Sequence, residues 1–229
     1  EEPEPPAPVT EPEKTFEEVL DEHPVSIQVN GQWQTFPNAK AAEEASYEEY
    51  KANLRRNAKN FRITDEHLGE GGPKAKFQAN VNAIRLLKEL EAAGQQASPE
   101  QQEVLSRYVG WGGLSDAFDP EKPAWALEYA QLKELLTPEE YAAARGSTLN
   151  AHYTSPTVIR AIYEAVDRMG FETGNILEPS MGVGNFFGML PEKMRNSRLY
   201  GVELDPVSGR IAKQLYPKAD ITVGGFETT

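Results

Sequence analysis

The chain has 229 residues, a formal net charge of −13 and no cysteine, a length that suits one sizeable domain or a smaller one with an extension. The missing thiol excludes disulfides, thiolate zinc sites and cysteine nucleophiles together. His23, His67 and His152 lie far apart without ligand spacing, and no apolar run approaches the ~20 residues of a membrane span or opens the chain as a signal peptide, so the expectation is a soluble cytoplasmic protein with neither metal nor membrane partner.

The acidity is local. Residues 1–50 hold 13 acids against Lys14 and Lys40, a balance of −11, which leaves −2 for the remaining 179. Residues 1–15 are mostly proline and glutamate with almost nothing to bury, and read as a disordered acidic linker. A small module is expected over 16–60. Val25, Ile27 and Val29 alternate up to Asn30-Gly31, the preferred two-residue hairpin turn, with Trp33 and Phe36 expected to cover one face. Pro37-Asn38 opens a helix over roughly 39–58. Within it begins KANLRRNAKNFR, residues 51–62, with five basic residues and no acid. That run could meet DNA phosphate, although a solvated helix face explains it as well.

Residues 61–146 read as a helical extension. Ile84, Leu87 and Leu90 recur at helical spacing over 77–93, before Gly94. Ser98-Pro99-Glu100-Gln101 is a capping box with proline at the first helical position, and Thr137-Pro138-Glu139-Glu140 repeats it, with Gly146 as the expected stop. Between them, YVGWGGLSDAFD at 108–119 sets aromatics among glycines. This run suits a tight turn pinned by a buried indole better than a stacking surface for a base.

The most informative stretch follows. In HYTSPTVIRAIYEAVDRMG, residues 152–170, Ser155 is the expected N-cap, Pro156 takes the first turn and Gly170 closes the helix. Val158, Ile159, Ile162, Val166 and Met169 should pack that helix on a sheet. Then NILEPSMGVGNFF, residues 175–187, runs from a short strand ending in Glu178 into a loop with Gly182 and Gly184 and a helix start at Asn185. Such a loop lets bare backbone approach a ligand and leaves free N–H groups at the helix start. A second strand, in LYGVELDP, ends in Glu203, where a carboxylate can accept from a ribose diol. This describes a nucleoside-cofactor pocket. For a dinucleotide the third glycine would fall at 187, which is Phe187. An acid before the glycines suits a cofactor with an ammonium group and repels a pyrophosphate, which favours S-adenosylmethionine over NAD.

In order and spacing, YTSP, LEPSMGVGNF and GVELDP resemble the opening motifs of adenine-type (amino-group) DNA methyltransferases. The wider run over 145–227 resembles the methylase modules of very large methylase–helicase proteins of bacterial conjugative elements and phages. The resemblance implies an α/β fold, in which 147–229 would be the N-terminal half of a Rossmann-like S-adenosylmethionine-dependent methyltransferase domain with its first three strands. It implies DNA as partner and a helicase region in the same polypeptide. Carried across, Tyr153 and Thr154 would contact the methionine end. Glu178, Pro179, Ser180, Gly182, Gly184, Asn185 and Phe186 would form the loop beneath it. Glu203 would take the ribose, Leu204 would lie against the adenine and Phe226 would stack on it. The acid that normally precedes that aromatic is absent, since Gly225 stands there. The Asn/Asp/Ser-Pro-Pro-aromatic turn that acts on a flipped adenine is also absent from these residues, so no catalytic residue is assigned. The alternative is a non-catalytic, methylase-like scaffold that docks DNA for a helicase. With only three strands, the strand at Ile176 is expected to be an open edge.

Overall fold

The computed structural model describes residues 23–229, apart from the side chains of residues 50–57. The linker read over 1–15 and the basic side chains of Lys51, Arg55 and Arg56 therefore lie outside the description. The chain divides into two compact units between Asn57 and Ala58.

In the first unit, β1 (Val25–Val29) and β2 (Gln32–Phe36) form an antiparallel hairpin. Asn30 and Gly31 both have positive φ, 52° and 74°, as a two-residue hairpin turn of matching twist requires. Helix α1 (Ala39–Asn57) opens where the Asn38 side chain accepts from the Ala41 N–H at 2.8 Å. Trp33 departs from expectation. It pairs with Gln28, on the face opposite Val25, Ile27 and Val29, and is 71% exposed. Residues 33 and 36 have opposite parity, so one strand face cannot hold both.

The second unit begins with a helical layer. Helix α2 spans Pro73–Ala92, α3 Pro99–Ser106, α4 Ala126–Leu135 and α5 Pro138–Ser147. Both capping boxes form, Ser98 with Gln101 and Thr137 with Glu140. Helix α2 starts four residues before the expected Phe77, because Pro73 supplies a ready first turn. Helix α5 runs through Gly146 to Ser147 instead of stopping there.

Helix α6 (Pro156–Arg168) leads into a parallel sheet of order β3-β4-β5: Asn175–Glu178, Arg198–Glu203 and Asp220–Val223. A single turn, α7 (Asn185–Gly188), follows β3, and α8 (Pro206–Leu215) joins β4 to β5. As expected for three strands, β3 is an edge. Among the described residues it pairs only with β4, and Leu177 is 52% exposed.

The face read for α6 is only partly covered. Ile159 and Tyr163 are buried, with the Tyr163 ring 6.0 Å from that of Phe186 and its hydroxyl donating to the Phe186 carbonyl. Val158, Ile162 and Met169 are 48%, 42% and 83% exposed. The helix packs on the α7 turn through one stripe, and the three-stranded sheet does not reach beneath the next. Ser155 holds the N-cap position, but its hydroxyl makes no capping bond.

One apolar core runs through this unit. It joins Phe77, Ile84, Leu87 and Leu105 of the helical layer to Phe187, Ile211, Leu215 and Ile221 around the sheet. Trp111 lies within it, 1% exposed, its ring 5.3 Å from Phe118 and 6.0 Å from Phe77. The glycine-flanked tryptophan is thus a packed turn and not a stacking platform.

Candidate functional site

A cleft of about 500 Å³ opens at the carboxyl ends of β3 and β4, the place where open parallel sheets bind ligands. Nine of the residues singled out in sequence line it: Tyr153, Thr154, Glu178, Ser180, Gly182, Asn185, Phe186, Glu203 and Leu204. Pro179, Gly184 and Phe226 do not.

The loop and the second-strand acid share this cleft and touch. The Gly182 N–H donates to Glu203 Oε2 at 2.6 Å, and the Asp205 N–H donates to Oε1 at 2.8 Å. Each carboxylate oxygen keeps a further lone pair, so two amides aim the group without using up its accepting capacity. Burial raises the Glu203 carboxyl above its ordinary range, opposed by those two N–H groups. Glu178 is different. Its side chain has no hydrogen-bond partner among the described residues, and burial alone raises it.

The electrostatics of the cleft are one-sided. Glu178, Glu203 and Asp205 line it, and among the described residues no lysine or arginine does. Such a lining attracts a cationic ligand and repels a phosphate-bearing one. Position 187 agrees. Phe187 is 2% exposed and packs edge-on against Tyr216 at 5.7 Å, so it is a core side chain where a dinucleotide loop has bare backbone.

Gly182 has φ 56°, and a Cβ there would lie 2.6 Å from the Tyr153 ring. Gly110, with φ 69°, meets the opposite edge of the same ring at the same distance. Tyr153 is therefore clamped between two glycines from distant parts of the chain. Its hydroxyl is 3.1 Å from Ser208 Oγ, and burial holds it well above the ordinary tyrosine range. The ring forms wall, and the hydroxyl is already engaged.

The helix start expected at Asn185 forms, but α7 is one turn long. The space beside Gly225 is occupied. The Glu227 carboxyl group folds back against the Gly225 α-carbon, where a side chain at 225 would begin. Gly225 itself follows Gly224, whose N–H donates to the Glu203 carbonyl at 2.8 Å, so this acid stands near the end of β4.

Several lining residues went unread in the sequence. Tyr108, Gly110, Ala143, Gly146 and Ser147 come from the helical layer, and Asn150, Ala151, His152, Met181, Asp205 and Ser208 complete the wall. Asp205 did carry a local signal. An aspartate before Pro206 is an N-cap pattern, and its Oδ1 accepts from the Ser208 N–H at 2.7 Å. Among the described residues, no helix is long and apolar enough to cross a membrane, and no His/Asp/Glu group has the arrangement of a metal site.

Comparison with known proteins gives two relatives. The chain is 26% identical over 159 residues, 69% of its length, to the defense against restriction protein B of Escherichia phage P1. It is 43% identical over 58 residues, 25% of its length, to the type II methyltransferase M.CvrRI of Paramecium bursaria Chlorella virus XZ-6E. The matched segments make up 6% and 15% of those two proteins. No family model matches the chain, and no solved structure does.

Proposed function

We propose that residues 147–229 are the cofactor-binding half of an S-adenosylmethionine-dependent DNA methyltransferase acting on adenine amino groups, carried in a larger protein of a mobile element. The observation that carries this reading is the acid-lined cleft, with Gly182 and Glu203 hydrogen-bonded across it and no fixed cation in its wall. The similarity to a type II methyltransferase supports it. So does the volume, which lies within the usual range of small-molecule sites.

The residues present suit this cofactor. Unpartnered Glu178 offers a carboxylate to an ammonium group, and Glu203 keeps lone pairs for a vicinal diol. Thr154 and Ser180 line the methionine side, and exposed Leu204 offers an apolar face to a purine. When bound, S-adenosylmethionine supplies an activated methyl group. The chain's own part is to hold and orient the donor and to exclude water on the cleft side. DNA is the partner this reading requires, and the basic run at 51–62 is its candidate contact.

The alternative is a non-catalytic scaffold that docks DNA for a helicase. It is favoured by Gly225, where methylases of this kind carry the acid for the adenine amine. Glu227 weakens that argument, because its carboxyl group lies against the same α-carbon.

Calorimetry with S-adenosylmethionine and with NAD tests the cofactor. Binding of the first and not the second is expected, and the reverse refutes the reading. In Glu203→Ala, losing the carboxylate that accepts from the ribose should cost roughly 1.5–3 kcal/mol of affinity. Unchanged affinity would mean that the ligand sits elsewhere.

A further inference from the structure

A second cavity, of about 290 Å³, adjoins the cleft. Its size is near the lower end for small-molecule sites. The two hollows share Tyr108, Asn185 and the run from Ala151 to Thr154, and that run is the partition between them. Close packing fixes the partition. A side chain at Gly112 would collide with the Ala151 carbonyl and come within 3.0 Å of His152 Nδ1, so glycine is what lets the Trp111 turn lie against this run.

The charges of the second cavity differ from those of the first. Glu66 and Glu70 line it, but each has a counter-ion. Arg160 stands 3.2 Å from Glu66. His67 stands 3.1 Å from Glu70, and that hydrogen bond raises the imidazole above its ordinary range. Lys76 of α2 also lines the cavity and has no such partner. It is half-buried, and among the described residues its ammonium group meets no acid, carbonyl or ring.

The rest of the lining is rich in uncommitted polar groups. Among the described residues, the side chains of His152, Thr154, Ser155, Thr157 and Asn185 accept and donate no hydrogen bond. An ammonium group without a counter-ion, set with hydroxyls and an amide in one hollow, offers several donors to an anion. A phosphate, whose oxygens accept from several donors at once, fits that lining. The acid-lined cleft on the other side of the partition repels the same group.

We propose that the second cavity holds a phosphate of the DNA strand that accepts the methyl group, with Lys76 as its cation and Thr154, Ser155 and Thr157 as neighbouring donors. The methyl-accepting role rests on the cofactor reading above, but the phosphate contact does not. On that reading Thr154 touches the methionine end of the donor, which carries the activated methyl, and Thr154 belongs to both hollows. Donor and acceptor then meet across the partition, each on the side whose charge suits it.

The test is fluorescence anisotropy of a labelled single-stranded deoxyoligonucleotide with the full 229-residue chain, over a range of salt concentrations. Lys76→Gln should weaken binding roughly threefold to tenfold and lower the slope against log salt by about 0.7, as loss of one phosphate contact requires. Lys74→Gln removes the same charge from the same helix. Its ammonium group is already held by Glu128 at 2.6 Å and by the Trp125 ring at 3.9 Å, so affinity and slope should stay as in the wild type. Should Lys76→Gln melt early, Lys76→Arg keeps the charge and should restore the slope. Wild-type protein that binds no oligonucleotide, an unchanged slope in Lys76→Gln, or an equal loss in Lys74→Gln overturns the proposal. Inorganic phosphate that displaces the oligonucleotide at an equal concentration of phosphate groups makes the site one for a free anion and overturns the DNA assignment. Calorimetry that finds no S-adenosylmethionine binding, while Lys76→Gln still loses its phosphate contact, refutes the cofactor reading alone.

Discussion

Single residues decide what the cleft accepts. Gly225 leaves room for the Glu227 carboxyl group, two positions later than an acid is expected from sequence. On the cofactor reading, Glu227→Gln should narrow the preference for an S-adenosyl over an S-inosyl ligand roughly tenfold, since a carboxylate accepts from a 6-amino group and is repelled by a 6-oxo group. Competition binding measures that ratio, and an unchanged ratio removes Glu227 from the site. Sequence could single out Gly182 and Glu203 because one lies in the glycine turn after a short apolar strand and the other ends the next strand, each in a local pattern. Buried Asn80 of α2 escaped because its partners, the Val109 N–H and the Gly110 carbonyl, lie 29 and 30 residues along the chain. A buried asparagine inside a helix has no local signature that separates it from a solvent-facing one.

Among elements, the joint between α2, α5 and α8 rests on Glu140. Its Oε1 accepts from Arg210 at 2.6 Å, and its Oε2 accepts from Lys88 at 2.9 Å and from the Thr137 N–H at 3.0 Å. Burial alone would raise its carboxyl. The backbone bond from Thr137 and the two cations outweigh burial and hold it at about 2. A folded value below the unfolded one stabilises the fold above pH ~4.5, and that contribution disappears as pH falls from there through 2. It amounts to about 2 to 3 kcal/mol at neutral pH. Urea melts between pH 6 and 2 should show this loss, and Glu140→Gln should be weaker at neutral pH and flatter across the range. The capping box that places Glu140 was legible in four residues, but the two cations that hold it were not. The α6 stripe teaches the same lesson in reverse. Periodicity identifies an apolar face, but only the neighbouring element decides whether it is covered.

At the scale of the molecule, the open flank of the sheet dominates behaviour. Leu177 of β3 and Val158 and Ile162 of α6 are exposed apolar residues, and among the described residues β3 has a partner on one side only. Edges of this kind recruit other strands. Amides of residues 175–178 that point away from β4 should exchange within the dead time of a mixing experiment. Leu177→Lys should lower concentration-dependent association in sedimentation, and a wild-type monomer strongly protected throughout 175–178 would contradict the open edge. Strand–turn–helix spacing made the first two strands of the parallel sheet legible, and the third was expected from the resemblance to methylases. The merging of the helical layer and the sheet around one core was not, because it depends on contacts such as that of Gln214 with Gln96 and Ala97, more than a hundred residues apart.

That shared interior also determines how the molecule registers an occupant. Tyr153 is gripped by Gly110 on one edge and Gly182 on the other, so the wall of the cleft and the turn that carries Trp111 loosen or tighten together. Whatever occupies the cleft withdraws the folded form from the unfolding equilibrium, and the stabilisation reaches helices it never touches. Occupancy therefore sets the thermal endurance of residues 58–229 as one cooperative block.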